Sequence, residues 1–426
     1  MPTTSDHTGC ADFERASRLS RRGFLQGMAA TTGALVATRM FGDALMEASF
    51  AETGGNVLVV VSFRGGIDGL GLVVPHAEPG YYSARPTVAV PRESLLEADA
   101  TFGLHPQMAP LVPWWQSGKL AAVHAVGMAV PNRSHFEATE LIEDSDPGSS
   151  VRRGWVNRMI GLGGIVGPAE AVHLTDTMTP TLLAGPAPTL ATDDFSGLKL
   201  PGLDWSPARR YSSVSALWGG TTTPLGTAVR SAAEVSRGLA TTMGAPYQPA
   251  NGASYPTDDA SKDLADALKN AAHLIKADVG TSVVSIDFGS WDMHADYGTL
   301  GNGLMQQMIG AFASSVAAFF TDLGAVGDRV TLTTISEFGR RVEENGNQGI
   351  DHGWGNAVLV MGGGVRGGQY YGRWPGLGAT DLNDGDLAVT TDYRDVLGEI
   401  VSKRFPDRSL AQVFPGLSYS PVGLMS

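Results

Sequence analysis

SEFGRRVEENGNQGIDHGWGNAVLVMGGG, residues 336–364, places a polar, glycine-rich loop between two apolar, β-prone runs at 330–336 and 357–361. The first run ends directly in Glu337, and the loop carries Arg340, Arg341, Asp351 and His352. Acid, base and imidazole groups anchored between two buried strands mark a ligand site in an α/β domain, where ligands sit beyond the carboxyl ends of strands. A second segment of the same character, SIDFGSWDMHADY at 285–297, follows another β-branched run at 281–286. In extended chain, residues i and i+2 project to one side, so Asp292 and His294 can reach one ion. Mixed Asp, Glu and His donors suit zinc, manganese or another divalent metal rather than a thiolate-preferring one. Such a metal polarises an ester oxygen, or deprotonates a serine or a water.

Working outward, strands alternate with helices. The run NVLVVVSF at 56–63 is continuously apolar and suits a central parallel strand buried on both faces. It breaks at RGGIDG, whose Asp68 reads equally as a turn residue bonding its own backbone or as a metal ligand. An irregular, proline-broken helix is expected at 104–118, and a buried strand at 120–127 with His124 as a core histidine. Then comes MAVPNRSHFE, 128–137. Ser134 with Glu137 fits a capping box, and Ser134 also fits a nucleophile at a strand-to-helix junction. A short helix follows Arg152-Arg153-Gly154-Trp155. Residues 161–256 are irregular, with a short strand at 171–175 and helical stretches at 213–218 and 227–243, and read as an inserted cap or lid. Amphipathic helices are expected at 258–277 and 300–323, an edge strand at 367–374, and a closing helix at 391–405 capped by Thr391-Asp392. This order predicts a three-layer α/β/α domain over 52–426 with a mostly parallel sheet. Gly362–Gly368 lacks the strand–GxGxxG–helix context of a dinucleotide loop.

Composition narrows the class. The chain has 426 residues, 43% hydrophobic and 17% charged, enough for a large core, and 55 glycines, which imply many tight turns. A net charge of −13 without a basic cluster argues against nucleic acid as a partner. Residues 1–51 read as a twin-arginine export signal. SRRGFLQ at 20–26 precedes a weakly apolar stretch too short to span a membrane, then the small-residue ASFA at 48–51. The mature chain is therefore expected to be periplasmic or extracellular, without an integral membrane segment. The single cysteine, Cys10, falls in the signal, so no disulfide or thiolate ligand is expected afterwards.

Taken together, SRRGFLQ, RGGIDGL, NRSHFEATE, GSWDMHADYG, SEFGRR, IDHGWGNAVLVMGGGVRGGQYYG and TDYRDVL resemble the DUF1501 family across roughly residues 20–405. These are exported bacterial proteins related to the alkaline phosphatase and sulfatase superfamily. The resemblance implies an alkaline-phosphatase-like core and hydrolysis of a phosphate, phosphonate or sulfate ester, on a small molecule or a polymer, with one or two divalent metals. It places Ser134 in the nucleophile region beside Arg133 and His135. It makes Asp292 and His294 a metal pair, Glu337 an acidic ligand and His352 a late ligand with Asp351 beside it; Arg340 would face the anion. Departures are equally specific. Ser62-Phe63-Arg64 stands where relatives carry an Asp, Phe338 stands where they carry a His, and Ala129 replaces the modified residue of the sulfatase signature. These leave three readings: a metal-dependent hydrolase; a degenerate member acting in binding or assembly; and, from the export route alone, a redox accessory protein.

Overall fold

The strand at Val57–Arg64 (β1) is the centre of the molecule, and its alternation explains its composition. Val57, Val59, Val61 and Phe63 face one apolar cluster, while Leu58 and Val60 face a second on the opposite side of the sheet. With both faces covered, both parities of side chain are apolar up to buried Ser62 near the strand's end. The protein is seen here in a computed structural model that describes residues 54–163, 167, 169–175, 178–195, 207–221, 223, 226, 229, 233, 236–239, 242–244 and 246–426. The expected export signal, and most of the helix expected at 227–243, lie outside the described residues.

The remaining strands of the sheet are β2 (Leu120–Gly127), β3 (Ala171–His173), β4 (Leu190–Ala191), β5 (Val283–Gly289), β6 (Val330–Ile335), β7 (Asn356–Gly362), β8 (Tyr370–Tyr371) and β9 (Thr391–Asp392). Their order is β8-β2-β7-β6-β1-β5-β3-β4, with β9 also on β2. Pairings are parallel except those of β7, which runs antiparallel to both β2 and β6. The expected edge strand at 367–374 is reduced to β8.

Helices cover both faces, giving the expected three layers. Lys262–Ala277 (α4) buries Leu264, Leu268, Ala271 and Ile275, and Leu304–Leu323 (α5) buries Met305, Ile309, Phe312, Val316 and Phe319, in the first cluster. Trp155–Gly161 (α2) and Tyr393–Arg404 (α6) fill the second with Trp155, Met159, Val396 and Ile400. The α5 region is the one candidate membrane span by length and composition among the described residues, and 61% of that window is buried inside the fold. Elsewhere Asp392 caps α6 as expected, accepting from the Arg394 N–H. The helix at Pro207–Trp218 (α3) contains the expected 213–218 stretch.

Strand register explains where the site forms. Arg64 lies beside Gly289, Ser62 beside Ile335, and Val126 beside Asn356. The loops after β1, β2, β5 and β6 therefore leave the same end of the sheet. Because β7 is antiparallel, the whole 336–355 loop is a broad hairpin over that end.

Candidate metal centre

Four loops deliver the polar groups. In the extended segment after β5, Trp291 and Met293 are buried while Asp292 and His294 point the other way. Their Asp292 Oδ1 and His294 Nε2 atoms lie 3.0 Å apart, as i, i+2 geometry requires. Gly65 and Gly66, both at positive φ, let the β1 loop press against this segment and against Phe338. A Cβ at Gly65 would stand 2.7 Å from the Asp292 nitrogen, and one at Gly66 2.5 Å from the Phe338 ring.

His135 is the first residue of His135–Asp144 (α1), after the β2 loop, and His352 comes from the long hairpin. The Nε2 atoms of all three histidines meet around Asp292. His352 Nε2 is 3.0 Å from His135 Nε2, 2.9 Å from His294 Nε2 and 3.1 Å from Asp292 Oδ1. His135 Nε2 is 3.5 Å from Asp292 Oδ2. One ligand atom each from His135, Asp292 and His352 lies within 4.8 Å of the others, a grouping able to hold a metal ion, and His294 touches two of the three.

The opposite ring nitrogens explain why Nε2 faces inward. His135 Nδ1 bonds Glu337 Oε1 at 2.8 Å, His294 Nδ1 bonds Asp351 Oδ1 at 2.6 Å, and His352 Nδ1 donates to the Arg133 carbonyl at 2.9 Å. An acceptor on each Nδ1 fixes the N–H there and leaves the Nε2 lone pair for a cation. Lone pairs facing one another at about 3 Å repel, so protons or a metal must lie among them. Asp292, Glu337 and Asp351 carry three negative charges against the one positive charge of Arg340. With neutral imidazoles the cluster keeps two negative charges, the complement of a dication.

Proton affinities follow this field. Burial pulls His135 down, but its bonds with Asp292 and Glu337 outweigh that and hold it up at about 9. The Asp292 bond raises His294 against burial. Burial raises Asp292, yet three histidines and Arg340 hold its carboxyl far below the usual range. Burial acts the same way on Glu337 and Asp351 and is outweighed by His135 and His294. A metal would displace these protons, since its imidazole ligands must be neutral.

The sequence-derived site residues therefore separate. Asp292, His294 and His352 converge. Glu337 and Asp351, expected as ligands, sit behind the imidazoles on Nδ1; the Gly65 N–H and Asn345 Nδ2 steady them at 2.8 and 2.9 Å. His135, expected as a catalytic group, stands among the ligand atoms. Asp68 is a correction. It is buried away from the cluster, ion-paired to Arg85 at 2.5 and 2.9 Å and bonded by the Tyr297 hydroxyl at 2.6 Å, and it accepts from the Leu70 N–H at 3.2 Å. Arg340 is a second correction. Its buried guanidinium is spent on the carbonyls of Gly65, Gly66, Trp291 and Ile350 and on Asp292, rather than held open for an anion. Arg133 turns its guanidinium to Asp384 and buried Asp386 and gives the site only its carbonyl. Ser134 occupies the N-cap position before α1, but its hydroxyl makes no capping bond; its N–H donates to Asn132 Oδ1 at 2.9 Å, and Glu137 is exposed. The capping box is thus absent.

Phe338 packs its ring 4.8 Å from that of His135 and 4.7 Å from that of His352, forming an apolar wall behind both. The residues that reading by motif missed, Asn345, Arg85 and Asp386, act through contacts with no local sequence signal.

No curated protein sequence matches the chain. Among solved structures it is similar to the crystal structure of the PsFucS1 sulfatase from Pseudoalteromonas sp., at 11% identity and a TM-score of 0.32, over 79% of this chain and 70% of that one. Residues 227–398, which carry Asp292, His294, Glu337, Asp351 and His352, match the model of the family described as Protein of unknown function (DUF1501).

Proposed function

We propose that the chain is an exported, metal-dependent hydrolase-like protein acting on a phosphate, phosphonate or sulfate ester outside the cytoplasm. The observation that carries this reading is the convergence of three imidazole Nε2 atoms on Asp292, each imidazole held from behind by an acceptor. His135, Asp292, His294 and His352 would hold zinc, manganese or a similar divalent ion. When bound, the metal supplies Lewis acidity toward an ester oxygen or a hydroxyl. Phe338 and the saturated Arg340 hold the ligands in place and keep water from their rear. Side-chain exposures of 38% at His294 and 36% at Asp292, against 12% at His352, leave the centre open on the His294 side for an anionic group. Ser134, at the N-terminus of α1 beside His135, is the side-chain nucleophile this reading assigns. Turnover of an ester panel by metal-replete protein, lost in His352→Ala and Asp292→Asn, tests it.

A second reading, a non-hydrolytic binding or assembly protein, is favoured by two observations. No base bonds the Ser134 hydroxyl among the described residues, and the Arg340 donors are occupied. Metal binding without turnover on any ester of the panel selects this reading.

A further inference from the structure

We infer that the centre takes one divalent cation per chain, because arginines already occupy the other acidic positions at this end of the sheet. The inference rests on the metal reading above and adds its stoichiometry. Arg64, the last residue of β1, places Nη2 2.5 Å from Glu143 Oε1 and 2.8 Å from Asp287 Oδ1, the second contact an ion pair without hydrogen-bond geometry. Glu143 comes from α1 and is 3% exposed, and its other oxygen accepts from the Leu182 N–H at 3.0 Å. Asp287 lies near the end of β5. These two carboxylates, from two elements that also position the metal cluster, form the natural second pocket for a cation. The guanidinium fills it.

Two further buried acids lie in this region: Asp68 is bridged by buried Arg85, and Asp386 is paired with Arg133 and Arg341, with Asp384 beside it. Charge separates these groups. The histidine cluster keeps two negative charges with neutral imidazoles, the Glu143–Asp287–Arg64 group keeps one, and the Asp68–Arg85 pair and the Asp384–Asp386–Arg133–Arg341 group keep none. Only the first matches a dication. A metal at the second would have to displace a planar, always-charged donor from a buried carboxylate. Arg64 is also tied to the first site through the chain, since the next residue, Gly65, donates its N–H to Glu337. The strand-end position thus supplies a permanent cation in place of an exchangeable one.

Elemental analysis of the full chain decides the count, after chelation, reloading with excess Zn²⁺ or Mn²⁺ and removal of free metal. One equivalent in wild type is expected, retained in Glu143→Gln and Asp287→Asn and lost in His352→Ala, with circular dichroism confirming that each variant is folded. Two equivalents in wild type, falling to one in Glu143→Gln, overturn the inference while leaving the metal reading intact. No retained metal overturns both. One equivalent that survives His352→Ala places the ion elsewhere and overturns the assignment.

Discussion

Glu337→Gln is the substitution that separates a carboxylate behind a metal ligand from one that binds the metal itself. Glu337 is 4% exposed at its side chain, bonds His135 Nδ1 at 2.8 Å and accepts from the Gly65 N–H. Glutamine keeps the shape and one acceptor but removes the charge that makes His135 Nε2 a strong donor. Loss of such a partner weakens metal binding by about 10- to 100-fold, or about 1.4 to 2.8 kcal/mol. Asp351 makes the same kind of bond to His294 but is 50% exposed, so water replaces part of its effect. Asp351→Asn is expected to cost less, about tenfold or below. Competition against a chromophoric chelator at fixed pH measures both constants, and urea unfolding checks that each variant is folded. Equal affinity of Glu337→Gln and wild type, or a larger loss in Asp351→Asn than in Glu337→Gln, would refute the reasoning.

Asp68→Ala is expected to destabilise the fold by about 3–5 kcal/mol, because it strands the buried Arg85 charge, while metal content stays unchanged; a folded variant that loses its metal contradicts this placement. Burial lowers His105 and His124 to about 4, from an unfolded value near 6.5. Their depressed values contribute stability that is present above pH 6.5 and lost as pH falls toward 4, at most about 3 kcal/mol each. Urea midpoints measured from pH 7.5 to 4.5 should fall, and fall less steeply in His105→Gln/His124→Gln; an unchanged slope in the double variant rules out this source. Replacing Arg21 and Arg22 with lysine should leave the protein in the cytoplasm when fractions are assayed by immunoblot, and continued export would remove the twin-arginine reading of 20–26.

The parallel part of the sheet was legible because continuous β-branched runs such as 56–63 have few other places to go than a strand covered on both faces. The direction of β7 was not: a short apolar run carries no sign of its polarity, and only its neighbours β2 and β6 reveal it. Asp292 and His294 were legible as a pair from i, i+2 geometry alone. Glu337 and Asp351 were legible as part of the site but not in their roles, because first and second layers around an imidazole differ only in which ring nitrogen each group meets. His135 was legible as part of the site but as a catalytic group, because only the fold shows its Nε2 meeting those of His294 and His352 around Asp292. Asp68 and Arg340 misled for a common reason: their partners, Arg85 for one and a set of backbone carbonyls for the other, are fixed by tertiary approach rather than by spacing.

A crystal structure of metal-replete protein, with anomalous data collected at the metal edge, tests the central claim most directly. The account predicts a single strong peak about 2.0–2.2 Å from the Nε2 atoms of His135, His294 and His352 and from a carboxylate oxygen of Asp292, with Glu337 and Asp351 still on the Nδ1 atoms. A peak coordinated by Glu337 or Asp351 directly, a peak between Glu143 and Asp287, or four converging side chains with no anomalous signal under saturating metal would contradict it.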